Sequence, residues 1–318
     1  MKIAVDVMGG DYGPGEVIAG ALSWLKETDA SIILVGLAEE IEPVLKGQSY
    51  DTERLRVVNA SEIITMEESP AIAIRRKKDA SIVVATGLVK AGLADAVLSC
   101  GSTGAQMAAA LFNLGRMEGI ERPPIVSGIP NIRGSQSLLI DVGANVDCRP
   151  SQLVQFAALG SAYASAIQAI PNPRVGLLNN GAEETKGNAA AVEAFSLLRQ
   201  QPKLNFIGNV EGRDLFNGDC DVIVCDGFTG NILLKSMEGL VLFLAQHTAQ
   251  EMGKLPSIYQ KVDYRQVGGA PLLGVKGISI VCHGSSKKQA ICSGMKIAAQ
   301  CIVSRIVEQQ EKALAALI

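Results

Sequence analysis

Asp226-Gly227-Phe228-Thr229-Gly230-Asn231 follows the apolar run Val222-Ile223-Val224-Cys225 and precedes an apolar-periodic stretch that begins at Ile232. The reading is a strand that ends in a carboxylate and two glycines, with a helix opening immediately afterwards. A helix start exposes backbone N–H groups at the positive end of a macrodipole, which suits phosphate or another oxyanion. Asp226 then stands at the carboxyl end of a strand, where open α/β sheets place their ligands.

The same alternation runs through the chain in both directions. Strands are expected at 3–7, 32–35, 55–58, 96–99, 138–142, 175–178, 206–210, 222–225 and 278–282. Helical patterns fall near 14–27, 38–46, 79–92, 103–117, 151–169, 187–200, 230–252 and 286–313. Strands separated by helix-length stretches predict an α/β fold with a largely parallel sheet covered on both faces. The segments 125–130 and 138–142, joined across Arg133-Gly134-Ser135, predict one antiparallel hairpin. No repeat, low-complexity tract or Gly/Ser linker marks a boundary, so residues 1–318 read as a single domain with room for two lobes around a cleft.

Composition narrows the function classes. At 318 residues, with 48% hydrophobic and 19% charged side chains, the chain can bury a large core and is not a disordered one. A net charge of −3 gives no overall attraction to nucleic acid, and 4% aromatics leave few stacking platforms for single strands. Met1 to Asp6 reads as a strand and not a signal peptide. Apolar runs such as Leu240 to Ala245 are far shorter than the roughly 20 residues that span a bilayer. Seven cysteines form no CxxC pair, which predicts reduced core thiols in a cytosolic protein.

Three more polar turns stand at expected strand ends. Met8-Gly9-Gly10-Asp11 follows Asp6, and its glycines permit close approach of a ligand. Gly101-Ser102-Thr103-Gly104 opens a helix that Ser102 or Thr103 can cap, with small side chains that leave room for phosphate. Asp141 to Asp147, with Asn145 between, packs acids and an amide at one strand end; either Arg149 pairs with Asp147, or one of the acids positions a substrate or water. A further turn, Asn179-Asn180-Gly181 through Lys186, sets an ammonium just before a helix. The nucleotide fingerprints GxGxxG and GxxxxGK[ST] are both missing here. Two separated histidines and scattered cysteines lack zinc-ligand spacing, and no GxSxG elbow is present. His247 reads as a packed or surface residue, which leaves His283, followed by Gly284-Ser285, for acid–base work or donation to an oxyanion. Arg75-Arg76-Lys77-Lys78 is the one strong basic run, either a solvated face or a steering patch for an acidic partner.

Taken in order, Val5 to Asp11, Glu68-Ser69-Pro70 with the basic run and Asp79, Gly101 to Gly104, Asp141 to Asp147, Gly208 to Asp214, Asp226 to Asn231, Gly268 to Gly274 and His283 to Ser286 resemble the bacterial phosphate acyltransferase family. These enzymes are acyl-carrier-protein:phosphate transacylases of phospholipid synthesis. The resemblance implies transfer of a long-chain acyl group from an acyl carrier protein to inorganic phosphate. The acyl phosphate then feeds a membrane glycerol-phosphate acyltransferase. It also implies a three-layer α/β/α sandwich like that of phosphate acetyltransferases and isopropylmalate dehydrogenases, a homodimer, no cofactor and no metal. The implied location is cytoplasmic, with peripheral association at the inner face of the membrane. Lys186, Asp226 and His283 are the catalytic candidates. Candidate substrate-binding residues are Asp6, Gly10, Asp11, Gly101, Ser102, Thr103, Gly104, Asp141, Asn145, Asn180, Asn209, Asn231 and Ser285, and Arg75 to Lys78 are the carrier-docking candidates. The family commonly has Asn where this chain has Ser102. Its dimer-forming and membrane-facing segment, here Gly239 to Gly268, is shorter than in several relatives. Two alternatives compete: a short-chain acyl coenzyme A:phosphate acyltransferase, and a non-catalytic carrier-binding or membrane scaffold. Dense polar glycine turns at several strand ends argue against the scaffold.

Overall fold

Alternating apolar residues place the strands, and proline places several helix starts. The computed structural model describes residues 1–256, 259 and 268–317. The chain first builds β1 (Lys2–Asp6), α1 (Pro14–Leu25), β2 (Ser31–Gly36), α2 (Ala38–Leu45) and β3 (Leu55–Asn59). It continues with α3 (Pro70–Arg76), α4 (Ser81–Lys90), β4 (Ala96–Ser99) and α5 (Thr103–Asn113). A second series follows: β5 (Val126–Pro130), β6 (Gln136–Ile140), α6 (Pro150–Ile167), β7 (Arg174–Asn179), α7 (Ala189–Arg199) and β8 (Asn205–Glu211). A 3-10 turn (Gly212–Phe216), β9 (Val222–Val224) and α8 (Gly227–Met252) complete it. The chain ends with β10 (Ala270–Leu272), β11 (Ile278–Val281), α9 (Lys288–Val303) and α10 (Ile306–Ala315). Pro14, Pro70 and Pro150 each sit in the first turn of their helix, where the missing N–H costs nothing.

The elements fall into two compact units, Met1–Arg116 with Val267–Val307 and Met117–Gln266 with Glu308–Ile318. The first holds a sheet of order β10-β11-β4-β1-β2-β3, parallel except at β10–β11. The second holds a sheet of order β5-β6-β9-β7-β8, antiparallel only at β5–β6. Parallel strands are thus divided between two sheets, each with one antiparallel edge strand.

In the first unit the period-two pattern sorts the core. Ala4, Ile33 and Val97 lie side by side across β1, β2 and β4 and pack with Ile74 of α3 and Ile82 and Val83 of α4. Leu98 points to the opposite face, where it meets Gly294 of α9. On that face a Cβ on Gly20 of α1 would stand 2.6 Å from Ile291 Cβ of α9, so the two helices approach closely. In the second unit Gly160 lets α6 settle onto Val222 and Ile140.

Several expectations are corrected. The stretch 286–313 is two helices, broken at Arg305, whose φ of 51° ends the first. α3 and β10 were not anticipated: one is seven residues long, the other three. The helix expected from 230 begins at Gly227 and runs unbroken to Met252. Short apolar runs had suggested nothing of membrane-spanning length. Yet this helix is long and apolar enough to cross one by length and composition, with a mean hydropathy of 1.3 over a window only 6% buried. Polar residues such as Lys235 and Glu238 interrupt the run without breaking the helix. Part of the Gly239–Gly268 segment lies outside the described residues.

Candidate functional site

Each unit gathers its polar turns at the carboxyl ends of its strands. In the first unit, the loops after β1, β4 and β11 meet. Gly9 packs so tightly on the Gly101 backbone that any Cβ would overlap the Gly101 nitrogen. Gly10, at φ 107°, sits beneath the Gly284 carbonyl, and Asp11 N–H donates to that carbonyl at 2.8 Å. Asp6 anchors the arrangement from below. Its carboxylate accepts from Ser99 Oγ at 2.7 Å, from Met8 N at 3.2 Å, and also from Ser81 and Gly9. Ser99 Oγ in turn accepts from Gly101 N at 3.0 Å. Burial pushes the Asp6 carboxyl up, against the pull of its four donors.

Above this anchor α5 opens. Ser102 Oγ accepts from Ala105 N at 3.3 Å, so Ser102 caps the helix, and Thr103 is exposed. His283 is also exposed, and its Nδ1 accepts from Ser285 N at 3.1 Å, with Ser285 Oγ 2.7 Å away. A backbone N–H can only donate, so Nδ1 is the acceptor here, the arrangement of the tautomer that carries its proton on Nε2. His283 is therefore set as a hydrogen-bond donor through Nε2. The recess among Asp6, Gly9, Ser99 and Ser102 holds only about 10 Å³, too little for a phosphate-sized anion beneath these loops.

The second unit repeats the device with different donors. Asp141, fully buried, accepts from Ile125, Gly143 and Ala144 N at 3.0, 3.2 and 3.1 Å through Oδ1. Its Oδ2 accepts from Asn145 N and Asn145 Nδ2, both at 2.8 Å. Burial pushes this carboxyl up too, the donors opposing it. Gly227 N donates to Asn145 O at 2.7 Å, and Gly230 packs against the Asp141 carbonyl, where a Cβ would collide. Loop and helix start are thereby locked. Asp226 caps α8, accepting from Thr229 N at 2.8 Å and Thr229 Oγ1 at 2.9 Å.

Beside Asp226 lies a cavity of about 680 Å³, lined by Val146, Asp147, Cys148, Leu177, Asn180, Asn188 and Phe228 among others. Its charged lining groups, Asp147 and Asp226, are both acids, and the rest is amide or apolar. Such a surface suits an uncharged chain with amide N–H groups better than a free anion.

The structure brings Asp6, Gly10, Asp11, Gly101, Ser102, Gly104, His283 and Ser285 into one loop junction, and Asp226 and Asn180 to the cavity. Asp141, Asn145 and Asn209, read from the sequence as substrate-binding, are buried; Asp141 and Asn145 bond each other and their loop, while Asn209 Nδ2 donates to Glu183 O at 2.8 Å and its Oδ1 has no hydrogen-bond partner. Lys186 is exposed and outside the cavity lining, its carbonyl accepting from Asn179 Nδ2 at 2.9 Å. Asn231 is exposed next to Gly143. Arg149 pairs with Glu121 rather than Asp147. His247 is exposed on α8, its ring 4.5 Å from that of Phe243. Within the basic run Lys77 is taken up by Glu68 and the Ile63 carbonyl, both at 2.7 Å, and Lys78 lies over the Phe112 ring. Arg75 and Arg76 remain exposed at the end of α3.

Sequence reasoning missed Ser81 and Ser99, which carry no local signal because their partner Asp6 is brought to them by folding. It also missed Asn188, the N-cap of α7, although an Asn before an alanine run is a legible cap. Among the described residues no group of three or more His, Cys, Asp or Glu is placed to hold a metal ion.

A family model described as "Fatty acid synthesis protein" matches residues 1–309. Over 312 residues the chain is 63% identical to a phosphate acyltransferase of Syntrophomonas wolfei, covering 98% of each. It is 52% identical over 315 residues to a phosphate acyltransferase of Heliobacterium modesticaldum, covering 94% of this chain and 93% of the other. Among solved structures, a phosphotransacetylase from Streptococcus pyogenes aligns with a TM-score of 0.67 at 20% identity, over 97% of this chain and 94% of that one. A branched-chain phosphotransacylase from Enterococcus faecalis aligns at 0.63 and 18% identity, over 94% and 99%. These two structures share the three-layer α/β/α fold with this chain.

Proposed function

The chain belongs to the phosphate acyltransferase family, and from that premise we propose that it transfers a long-chain acyl group from an acyl carrier protein to inorganic phosphate, supplying acyl phosphate for phosphatidic acid synthesis. The loop junction of Gly9–Asp11, Gly101–Gly104 and His283–Ser285 carries the reading. It presents the start of α5, close-packed glycines and an Nε2–H donor to a small anion. The second unit, taken by itself, offers the cavity beside Asp226, whose lining suits an uncharged chain.

Phosphate is already a nucleophile, so no covalent enzyme intermediate is required. A phosphate oxygen attacks the thioester carbonyl and a tetrahedral oxyanion forms. The C–S bond then breaks, and the thiolate leaves and takes up a proton. Holding the two reactants in line supplies roughly 7–11 kcal/mol, and one oxyanion donor about 3–4 kcal/mol. His283 is the side-chain candidate for such a donor in the first unit; Lys186, on the second unit, is a candidate to be tested by itself.

Further parts of the reading concern partners. Exposed Phe228, Ile232, Leu240, Leu242, Phe243 and Leu244 on α8 support a homodimer contact and peripheral association with the inner face of a membrane, where a glycerol-phosphate acyltransferase takes the product. Arg75 and Arg76 support docking of an acidic carrier. A cytoplasmic location goes with these partners.

The test mixes purified protein with palmitoyl carrier and follows thiol release. Release that depends on phosphate is expected. Equal release without phosphate overturns the reading in favour of a thioesterase, and reaction with acetyl coenzyme A alone favours the short-chain alternative.

A further inference from the structure

Cys100 and Cys282 have no part in the reaction above, yet the first sheet sets them side by side. β4 and β11 run parallel with Ser99 opposite Val281, and Cys282 N–H donates to Ser99 O at 2.8 Å, one step beyond. The next residue on each strand is a cysteine, and parallel register sends both side chains to the same face. That face lies under α9. A Cβ on Gly294 would stand 3.0 Å from Leu98 Cδ1 and 2.9 Å from Cys282 Sγ, so Cys282 and the residue two before Cys100 share one helix neighbour. Adjacent strands stand about 4.8 Å apart, inside the roughly 4.4–6.8 Å between Cα atoms that a disulfide bridges. The thiols also interact directly. The Cys282 thiol, then burial, pushes the Cys100 thiol well up, with smaller contributions from the Asp6 and Asp11 carboxylates.

We infer that Cys100 and Cys282 are a redox modification site, closing to a disulfide under peroxide and so clamping the Gly101–Gly104 loop to the His283–Ser285 loop. Either cysteine can react first, with the same products; Cys282 serves as the example. Its thiolate attacks hydrogen peroxide, the O–O bond breaks, and a sulfenic acid and water result. The Cys100 sulfur then attacks the sulfenic sulfur and a second water leaves. Two thiols lose two electrons and two protons, and one peroxide is reduced to two waters. Both cysteines are buried, at 0% and 2% exposure, so peroxide reaches them only when the overlying loops open. An anion that holds those loops closed slows the reaction.

The bridge follows from the strand register alone; its effect on catalysis rests on the proposed transfer to phosphate. Reduced full-length protein is treated with hydrogen peroxide, with and without inorganic phosphate, digested with trypsin without reductant, and analysed by mass spectrometry. The expected product joins peptide 91–116 to peptide 277–287, each of which carries one cysteine. Phosphate should delay it, and dithiothreitol should reverse it. Phosphate-dependent thiol release should fall by about a hundredfold, the scale of an ångström-sized misplacement of reacting groups. Cys100→Ala and Cys282→Ala should each block both the joined peptide and the inactivation. The inference is overturned if the joined peptide never forms, if oxidation stops at the half-buried Cys148, or if the bridged protein keeps its phosphate dependence. A joined peptide from a protein whose reduced form shows no phosphate-dependent release would retain the bridge and overturn the transacylase reading instead.

Discussion

Asp6 and Asp141 hold equivalent places in the two units, each a buried carboxylate where a strand gives way to a glycine loop, yet they are satisfied differently. Asp6 takes hydroxyls from two other elements, Ser81 of α4 and Ser99 of β4, together with the N–H groups of Met8 and Gly9. Asp141 takes four backbone N–H groups and one amide, all but one of them from its own loop. The first pattern ties one loop to its neighbours and leaves a nearly filled junction. The second curls one loop onto itself and leaves a cavity of about 680 Å³ alongside. Buried acids at strand ends thus hold the loops in both units, and what differs is the shape left beside them: a nearly filled junction in the first unit, an open cavity in the second.

The largest effect is expected from removing the self-contained anchor. Asp141→Ala orphans several backbone donors that cannot turn elsewhere, at about 1–3 kcal/mol for each buried one, so a loss of about 3–5 kcal/mol is expected. Asp6→Ala should cost less, about 1–3 kcal/mol, because two of its donors are hydroxyls that can rotate to new acceptors. Urea unfolding of both variants checks the order, and equal losses would break the comparison. The pH dependence sharpens it. Both carboxyls are raised from an ordinary value of 3.8, chiefly by burial. A raised folded value means that the stabilisation is full below 3.8 and is lost as pH rises through the folded value. The advantage of wild type over Asp6→Asn should therefore shrink as pH rises above 3.8. Asp221 should behave oppositely. Burial raises its carboxyl, but the two-pronged pairing with Arg174 outweighs this and holds it low, so its contribution is lost as pH falls below 3.8.

This contrast also separates what was legible in the sequence from what was not. Asp141 and its donors lie within a few residues of one another, except Ile125, so the turn announced itself as dense polarity after an apolar run. The Asp6–Ser99 bond spans 93 positions, and nothing local in Ala96-Val97-Leu98-Ser99 points to it. Apart from the three-residue β10, the strands of both sheets were readable because apolar runs mark them. The break at Arg305 was not, because no glycine or proline marks it. α3 was visible only as a charge run, being too short to show a helical period. Similarly, Asp141 and Asn145 were recognisable as special residues, but only the packing shows that they bond each other within the loop.

A middle-sized effect concerns a cation on a loop that borders the cavity. Lys186 is exposed on the loop that Asn179 closes, and its charge has no backbone substitute. If phosphate is drawn to the second unit at all, Lys186→Ala should cost about 1.5–3 kcal/mol, or roughly tenfold to a hundredfold in kcat/KM for phosphate. Thermal unfolding should be unchanged, since the side chain is exposed. Wild-type phosphate dependence in this variant would assign the anion to the first unit alone, leaving His283 and the start of α5 as its binders.

The smallest effect lies on the surface of the first unit. Four consecutive cations suggested one docking patch, but the structure divides them. Lys77 is committed to Glu68 and the Ile63 carbonyl, and Lys78 to the face of Phe112, so reversing either would disturb the fold as well as the charge. Arg75 and Arg76 are exposed at the end of α3 and carry the steering hypothesis cleanly. An exposed pair is worth about 0.2–1 kcal/mol, so Arg75→Glu and Arg76→Glu should each raise KM for the acyl carrier by no more than about fivefold. KM for phosphate should stay unchanged, because a small anion bound elsewhere on the unit is screened beyond about 8–10 Å. The carrier effect should fade with added salt for the same reason. A rise in KM that persists at high salt would mean a direct, desolvated contact at α3 rather than steering. No rise at low salt would return Arg75 and Arg76 to an ordinary solvated face.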